Sequence, residues 1–169
     1  MKNWMVLGAL IGLSGCASPS CEYGALHAAP GDNCRAGQLL YQNDMLQAKL
    51  LISQADRENY ELAEAMLRRA ALTDASGEAE FYQAVLLIRQ QAEPDAIIER
   101  LQTAADHRHP LAIALLSQQL TGRDDKQAAH WRAEYAELDV AKSGYPSFEQ
   151  ALMVIDSLVT PAPEMTAAH

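Results

Sequence analysis

The segment of this 169-residue chain that most resembles a ligand set is Asp106-His107-Arg108-His109. Two histidines separated by one residue can bind a metal ion together. Pro110 follows at once, however, so the segment also has a structural purpose as a turn before a helix, and no further ligands stand nearby in the sequence. We therefore predict no metal site and no cofactor. A hydrolytic site would require distant acidic side chains to meet this segment in the fold.

Other catalytic motifs are absent from the sequence. It contains no GxSxG nucleophile elbow, no HExxH pair and no glycine-rich phosphate loop. His27 and His130 have no recognisable partners along the chain. The sequence therefore predicts a protein that is not an enzyme and takes no small-molecule substrate. An envelope hydrolase is the remaining enzymatic alternative.

Cys16 has the most specific chemistry. It follows Lys2 and an apolar run over residues 5–13, which is far shorter than the roughly 20 residues of a membrane-spanning helix. Residues 13–16, LSGC, resemble the lipobox of bacterial lipoproteins. The resemblance implies cleavage before Cys16, diacylglycerol on its sulfur and an acyl chain on its new amine. A plain secretory leader with an incidental cysteine is the alternative.

The lipid would determine where the protein resides. Several acyl chains, each contributing about 0.8 kcal/mol per buried CH₂, anchor a protein stably where one chain is marginal. Ala17 follows the anchor, and in the lipoprotein family a residue other than Asp there implies sorting to the outer membrane of a cell that has two. We expect a chain tethered to the outer membrane by lipid alone and facing the periplasm.

Acylation of Cys16 would leave Cys21 and Cys34 as a pair in an oxidising compartment. Gly24 and Pro30-Gly31 lie between them and allow the chain to reverse. We predict a Cys21–Cys34 disulfide, which is worth about 3 kcal/mol for a loop of this length in the chain-entropy model. Two free thiols or two metal ligands are the alternatives.

The chain is acidic, with 13 basic and 22 acidic side chains and a formal charge of −9. Removal of a leader that contains Lys2 and no acid changes the charge to −10. Such a surface repels phosphate backbones, which argues against nucleic acid as a partner and against a polybasic membrane-binding face.

Helix-forming residues dominate after Cys34, and no alternating apolar stretch rich in β-branched residues predicts a strand. Periodicity predicts about seven helices, the first over residues 36–54 with Leu39, Leu46, Leu50 and Ser53 on one stripe. Pro94 and Pro110 are predicted to begin two helices. The predicted organisation is a signal peptide (1–15), an anchored, disulfide-braced linker (16–35), a helical domain (36–159) and a flexible tail (160–169).

The alanine pair of residues 70–71 recurs at residues 104–105, a period typical of stacked helix pairs. The stretch from 104 to 131 resembles the Sel-like repeat, a relative of the tetratricopeptide repeat. The matching residues are Ala104-Ala105, His109-Pro110-x-Ala112, Leu116, Gly122, Asp125 and Ala128-x-x-Trp131. Ser117 departs from the pattern, which usually has Gly there, and a second copy around residues 63–86 is partial. The resemblance implies an all-α, right-handed solenoid of antiparallel helix pairs, in which the first and last helices act as caps.

Trp131, Tyr135 and Arg68 are the candidate partner-binding residues. Tryptophan, tyrosine and arginine are enriched at binding hot spots. The spacing of Trp131 and Tyr135 equally suits a core stripe that continues to Leu138, and Arg68 equally suits a solvated face paired with Glu64. Both interpretations remain open at this point.

The leading functional expectation is a periplasm-facing lipoprotein that acts as a protein–protein interaction scaffold in an envelope assembly or secretion system. Helix-pair repeat lipoproteins are associated with such assemblies. The alternative is an immunity lipoprotein that neutralises a toxic effector, because Sel-like repeat lipoproteins also occur among such inhibitors. The sequence identifies neither the partner nor the helix face that binds it.

Overall fold

The structure, a computed structural model, describes residues 32–138, 144 and 146–160, with the backbone alone for residues 32–34. Across these residues the regular structure is helical, and no strand occurs. Seven α-helices are described: α1 (Asp32–Ser53), α2 (Tyr60–Ala71), α3 (Glu78–Arg89), α4 (Pro94–Asp106), α5 (Pro110–Leu120), α6 (Asp125–Ala136) and α7 (Phe148–Val159). A 3₁₀ turn, Arg57–Asn59, precedes α2. The prediction of an all-α fold with about seven helices is confirmed.

The helix starts follow the local capping chemistry that the sequence predicts. Pro94 and Pro110 occupy the first positions of α4 and α5, where the missing amide hydrogen costs no hydrogen bond. Asp124 caps α6 by accepting a hydrogen bond from a first-turn amide. Ser147 and Gln150 form a reciprocal capping box at α7.

The first helix begins earlier than predicted. Asp32 opens α1, so the last four residues assigned to the linker are helical. Cys16 and Cys21 lie outside the described residues, and so does the side chain of Cys34. The leader over residues 1–15 and residues 161–169 of the predicted tail also lie outside them. The predicted anchor and disulfide therefore stay predictions.

Consecutive helices from α1 to α6 pack against one another, and their short connections make adjacent helices antiparallel. The last helix departs from this neighbour-to-neighbour order. Helix α7 crosses α5 and reaches α3, which also contacts α1. It thus covers apolar surface on two earlier helices, as expected of a capping helix. No helix among the described residues combines the length and apolar character needed to cross a bilayer.

The predicted stripe of α1 is wrong. Leu39, Leu46 and Leu50 are 58%, 69% and 56% exposed. The buried face instead carries Met45, Ala48 and Ile52. Two apolar faces of α1 compete for the core, and the one with a small central residue allows a closer approach of the neighbouring helices.

An ion pair between a buried carboxylate and a partly exposed guanidinium fixes this rotation of α1. The side chain of Asp44 is 1% exposed and accepts two hydrogen bonds from the Arg69 guanidinium of α2, at 2.6 and 2.5 Å. This bidentate arginine–carboxylate contact holds α1 and α2 in register. Its hydrogen bond to Asp44 raises the pKa of Arg69 above its ordinary value.

Small residues allow the helices to approach closely throughout the core. Many of the buried positions with the lowest exposure are alanines: Ala48, Ala63, Ala79, Ala84, Ala104, Ala112, Ala114 and Ala151. Ser117, the departure from the repeat pattern, is buried in α5 and donates its hydroxyl hydrogen to the Ala128 carbonyl of α6 at 2.9 Å. The hydroxyl therefore joins two helices and satisfies its own hydrogen-bonding requirement.

Gly77 allows α3 to begin against the end of α4. Its φ is +73°, and a Cβ there would lie 2.7 Å from the Ala104 carbonyl oxygen. The adjacent Asp74 side chain accepts a hydrogen bond from the Ala79 amide in the first turn of α3. The loop therefore needs glycine for both conformation and space.

Arg89 joins three helix ends. It lies in the last turn of α3, and its guanidinium donates to the Leu158 carbonyl of α7 at 2.8 Å and to the Ile52 carbonyl of α1 at 2.5 Å. Carbonyls in the last turn of a helix lack intrahelical donors, and a cation there also opposes the negative end of the helix dipole. One side chain thus binds carbonyls at the ends of both α1 and α7.

We predict that Gly77→Ala lowers the free energy of unfolding by more than Gly122→Ala. Gly122 has a similar φ of +79° but open space where the alanine methyl group would lie, so alanine there bears only the backbone cost of about 1–2 kcal/mol. At Gly77 the collision with the Ala104 oxygen adds to that cost. Urea unfolding of both variants measures the difference, and equal losses would contradict the close packing of α3 on α4.

We also predict that Arg89→Met destabilises the chain by about 3 kcal/mol, since two charge-assisted hydrogen bonds are lost. Hydrogen exchange should then accelerate in α7 more than in α4 or α5. Arg57→Met serves as the control because Arg57 is exposed. Unchanged protection of residues 148–159 in Arg89→Met would show that Arg89 does not hold α7.

Candidate functional site

Of the three predicted partner-binding residues, Tyr135 is buried, Trp131 is partly buried and Arg68 is exposed. Tyr135 is 2% exposed, its hydroxyl donates to the Pro146 carbonyl at 2.7 Å, and its ring meets Phe148 edge-on at 5.3 Å. This burial favours the core interpretation of Tyr135 over the partner-binding one. Trp131 is partly buried and packs against the core from α6. Its Nε1 is buried and has no hydrogen-bond partner among the described residues.

Arg68 lies on the surface, at the edge of a groove. The groove has a volume of about 240 Å³ and runs over α3 between α2 and α4. We call it the α3 groove, and its lining residues are Glu64, Arg68, Gln83, Leu86, Leu87, Gln90 and Arg100. The α3 residues Gln83 and Leu86 are buried and form the floor, while Arg68 and Arg100 are exposed and form the rim.

Gln83 is the unusual residue of the floor. It is 7% exposed, and its Oε1 accepts no hydrogen bond from any residue that the structure describes. A buried amide oxygen without a donor costs roughly 1–3 kcal/mol, so such atoms are uncommon in folded proteins. Glu80, one turn earlier on α3, is also buried with Oε2 unpaired within the described part, but it does not line the groove.

The rim of the α3 groove is basic on an acidic protein. Arg68 has a single carboxylate partner within the described ranges, Glu64, at 3.8 Å, and both side chains are substantially exposed. Arg100 forms no ion pair with the part of the chain that the structure covers. Exposed pairs of this kind contribute little to stability, so both guanidinium groups are free to bind another molecule.

Sequence reasoning missed Gln83 and Arg100. Gln83 interrupts the otherwise apolar stretch of α3, and a polar residue on a buried face is a signal that the sequence contains. Arg100 gave no such signal. Its proximity to Arg68 arises only because α3 brings α2 and α4 to the same groove.

His109, the second histidine of the predicted turn, has a structural role. Its Nδ1 accepts a hydrogen bond from the Ala112 amide at 3.3 Å and so caps α5. Its ring stacks on Phe81 with centroids 4.9 Å apart. Burial lowers the pKa of His109 to about 4, although Glu78 and Asp74 act in the opposite direction. No group of three or more His, Cys, Asp or Glu side chains in the described part could hold a metal ion.

A polar cluster near His109 fastens α1 to the first residue of α3. Lys49 and Tyr41 of α1 both bind Glu78, through an ion pair and a hydrogen bond of 3.3 Å. Burial raises the pKa of Tyr41, so its hydroxyl remains a donor. Burial also acts to raise the pKa of Asp74, but hydrogen bonds from Ala79 and Ser76 bring it below its ordinary value. Together these contacts fix the α2–α3 loop and the first turn of α3 in position.

A second groove lies between α1, α3 and α7. Its volume is about 410 Å³, and its lining includes Leu46, Leu50, Tyr82, Arg89 and Leu158. The exposed leucines of α1 continue along one side of it. The charged lining residues already have partners, since Lys49 binds Glu78 and Arg89 binds two carbonyls. This groove is apolar and offers a partner little specific chemistry.

The pKa of His109 predicts a loss of stability in acid. Between the ordinary value of 6.5 and about 4 the unfolded chain binds one proton more than the folded chain, so the free energy of unfolding falls as the pH falls through this window. The loss amounts to about 3 kcal/mol. His109→Asn keeps a capping side chain without a titrating group, and urea unfolding from pH 7 to 4 should give a flatter profile.

The exposed His107 is the control for this prediction. His107→Asn should leave the pH dependence of unfolding as it is in the unsubstituted chain. If His109→Asn retains the full loss of stability between pH 6.5 and 4, burial of a neutral His109 is not its cause.

Comparison with protein-family models, with curated proteins and with solved structures gave no match to this chain. The Sel-like and lipoprotein resemblances therefore rest on the quoted residues alone. The helical architecture and the α3 groove are what the structure adds to them.

Proposed function

We propose that this chain is a lipoprotein tethered through Cys16 to the outer membrane, and that its helical domain faces the periplasm and binds another protein as part of an envelope assembly or secretion system. The tether follows from the leader and the LSGC segment. The resemblance of the helical domain to helix-pair repeats supports the binding of another protein. The proposed activity is recognition without turnover.

The α3 groove is the observation that carries the binding proposal. Its floor is partly apolar, through Leu86 and Leu87, and its rim holds two arginines available for new contacts. A partner that supplies acidic groups would pair with both arginines. Arginine at the edge of a partly apolar depression is also typical of interface hot spots.

Site-specific crosslinking in cells tests this proposal. The photo-crosslinking amino acid p-benzoylphenylalanine is introduced at position 90, where the exposed Gln90 lines the α3 groove, and in a control chain at position 126, where Lys126 is exposed on α6. We expect a discrete crosslinked protein from position 90 and none from position 126. The same adduct from both positions would contradict recognition at the groove.

The identity of that adduct separates the two kinds of binder. A component of an envelope or secretion assembly supports the scaffold function. A toxic effector delivered by a neighbouring cell supports an immunity function instead. Reciprocal purification with the tagged partner must recover the unsubstituted chain for either conclusion.

Labelling with an alkyne fatty acid tests the anchor independently. The unsubstituted chain should incorporate the probe and fractionate with the outer membrane, whereas Cys16→Ser should lose both properties because it lacks the acylated thiol. Cys21→Ser is the matched control and should keep the label. Equal incorporation by Cys16→Ser and the unsubstituted chain would refute the tether.

A further inference from the structure

We propose that the exposed side of α1 pairs with the same surface of a second copy of this chain, as a parallel, in-register two-stranded coil. We call this surface the α1 stripe, and its residues are Ala36, Leu39, Asn43, Leu46, Leu50 and Ser53. The α1 stripe is separate from the lining of the α3 groove, so the inference goes beyond the proposed function.

The spacing of the α1 stripe is that of a coiled-coil seam. Its residues follow one another at alternating intervals of three and four positions, which are the a and d positions of successive heptads. All of them are exposed, and the three leucines are 58%, 69% and 56% exposed. The core-facing residues Met45, Ala48 and Ile52 occupy the other side of the helix. Helix α1 therefore has a second apolar seam that the described part of its own domain leaves uncovered.

Asn43 occupies an a position in the middle of the α1 stripe. An asparagine at a single a position specifies the register and the two-stranded state of a parallel coil, because the two asparagines meet and can share hydrogen bonds. Asn43 Oδ1 accepts a hydrogen bond from Gln47 Nε2 at 2.9 Å, and the Asn43 amide hydrogens can donate across the pair. In an antiparallel pair with full overlap, Asn43 would instead face Leu46, which offers no acceptor. Asn43 thus favours the parallel arrangement.

The charge of α1 permits two copies to approach. The whole chain has a formal charge of −9, but the one acid between residues 35 and 54 is Asp44, which is 1% exposed and paired with Arg69. The e and g positions beside the stripe carry neutral or basic residues: Arg35, Leu40, Gln42, Gln47, Lys49 and Gln54. In a parallel pair each g residue faces an e residue of the next heptad, which places no two like charges opposite each other. The stripe is thus the side of α1 on which an acidic chain repels its copy least.

The surroundings of the α1 stripe add to a short seam. The stripe covers about two and a half heptads, fewer than the roughly three to four that identify a free-standing coiled coil. The second groove, of about 410 Å³, shares Leu46 and Leu50 with the stripe, so a helix lying along α1 also covers apolar lining such as Tyr82 and Leu158. Anchoring through Cys16 would further hold both copies on one membrane, start both α1 helices from the same side and raise their effective concentration.

A membrane surface is the other apolar medium that the stripe could contact. Helices that lie in a bilayer interface are rich in lysine and arginine along their polar face. The flanks of the stripe contain only Arg35 and Lys49 as basic residues, and Lys49 is bound to Glu78. Asn43 would also lie at the centre of the surface buried in lipid. These features favour a second copy as the occupant.

Disulfide formation in cells tests the pairing on the full-length chain. Cys21 and Cys34 are replaced by Ser, and Leu39→Cys adds a thiol near the start of the stripe. We expect a product of twice the monomer mass that contains both tags when two differently tagged copies are expressed together. Leu62→Cys, at an exposed leucine of α2, is the matched control and should give no such product. Absence of the product from Leu39→Cys, or an equal product from Leu62→Cys, would overturn the pairing.

A mixture of tagged Leu39→Cys and Leu50→Cys chains reports the orientation. In a parallel pair these two positions are about 16 Å apart along the helix axis, so each thiol should join only its own counterpart. An antiparallel pair would bring position 39 of one copy against position 50 of the other. A dominant mixed product would therefore overturn the parallel arrangement.

Charge substitutions test whether the leucines are buried between copies. Leu46→Glu should reduce the position-39 product by at least about tenfold, because each copy loses a buried leucine and two carboxylates meet in the seam. Leu72→Glu places the same charge at an exposed leucine outside the stripe and should leave the product unchanged. Both sites are exposed, so helix content measured by circular dichroism should be equal in the two variants. Full retention of the product in Leu46→Glu would contradict the pairing.

Asn43→Leu tests the selection of orientation. The substitution removes the polar a residue, so the position-39 product should persist while the mixed product between positions 39 and 50 appears. A role of Asn43 confined to its own helix would not change which thiols meet. If Asn43→Leu still gives only same-position products, Asn43 does not select the parallel arrangement.

Photo-crosslinking identifies the occupant directly. The amino acid p-benzoylphenylalanine at position 46 should capture a second copy of the chain, and a lipid adduct or an adduct with a different protein would overturn the inference. The result is independent of the proposed function. A self-adduct at position 46 without an adduct at position 90 keeps the pairing and removes the proposed partner site, whereas the reverse result removes the pairing alone.

Discussion

The Arg89 guanidinium of α3 binds the last-turn carbonyls of α1 and α7. The packing of these three helices against one another depends on this interaction. Helices far apart in the sequence end at the same point because one cation binds a last-turn carbonyl of each and opposes the negative ends of both helix dipoles. Helix α3 thereby contacts α1, α2, α4 and α7. Its opposite side bears Gln83 and stays open between α2 and α4, so the same helix that organises the stack also forms the floor of the α3 groove.

Close approach between helices explains the rest of the packing. A core rich in alanine leaves little side-chain volume between neighbouring helices, so polar atoms can bond directly across the interfaces. Ser117 reaches the Ala128 carbonyl, and Asp44 reaches the Arg69 guanidinium, in this way. A bulkier core would separate these partners and leave buried polar groups unsatisfied. The directional bonds thus depend on the small residues around them.

The polar residues of the interior differ in whether their hydrogen-bonding atoms have partners. His109 is buried and neutral, and its Nδ1 caps α5, so it contributes to folding and offers no free ligand atom there. Gln83 is equally internal, yet its Oε1 lacks a donor within the described part. His109 thus has a role within the fold, whereas Arg68 and Arg100 on the rim of the α3 groove remain available to a partner. This contrast favours the α3 groove over the histidine segment as the functional site.

The sequence by itself determined the helical class, the approximate number of helices in the described part of the chain and most of their starts. Pro94, Pro110, Asp124 and the Ser147–Gln150 pair each act within a single turn. It also suggested Arg68, but not Arg100 or Gln83 as its neighbours. Only the tertiary structure decided which face of α1 is buried, because its two apolar faces are similar until Asp44 meets Arg69. Only it separated Tyr135, a core residue, from Arg68, a surface one. Capping is local chemistry that a few adjacent residues specify, whereas helix rotation and groove formation depend on contacts between residues distant in the chain.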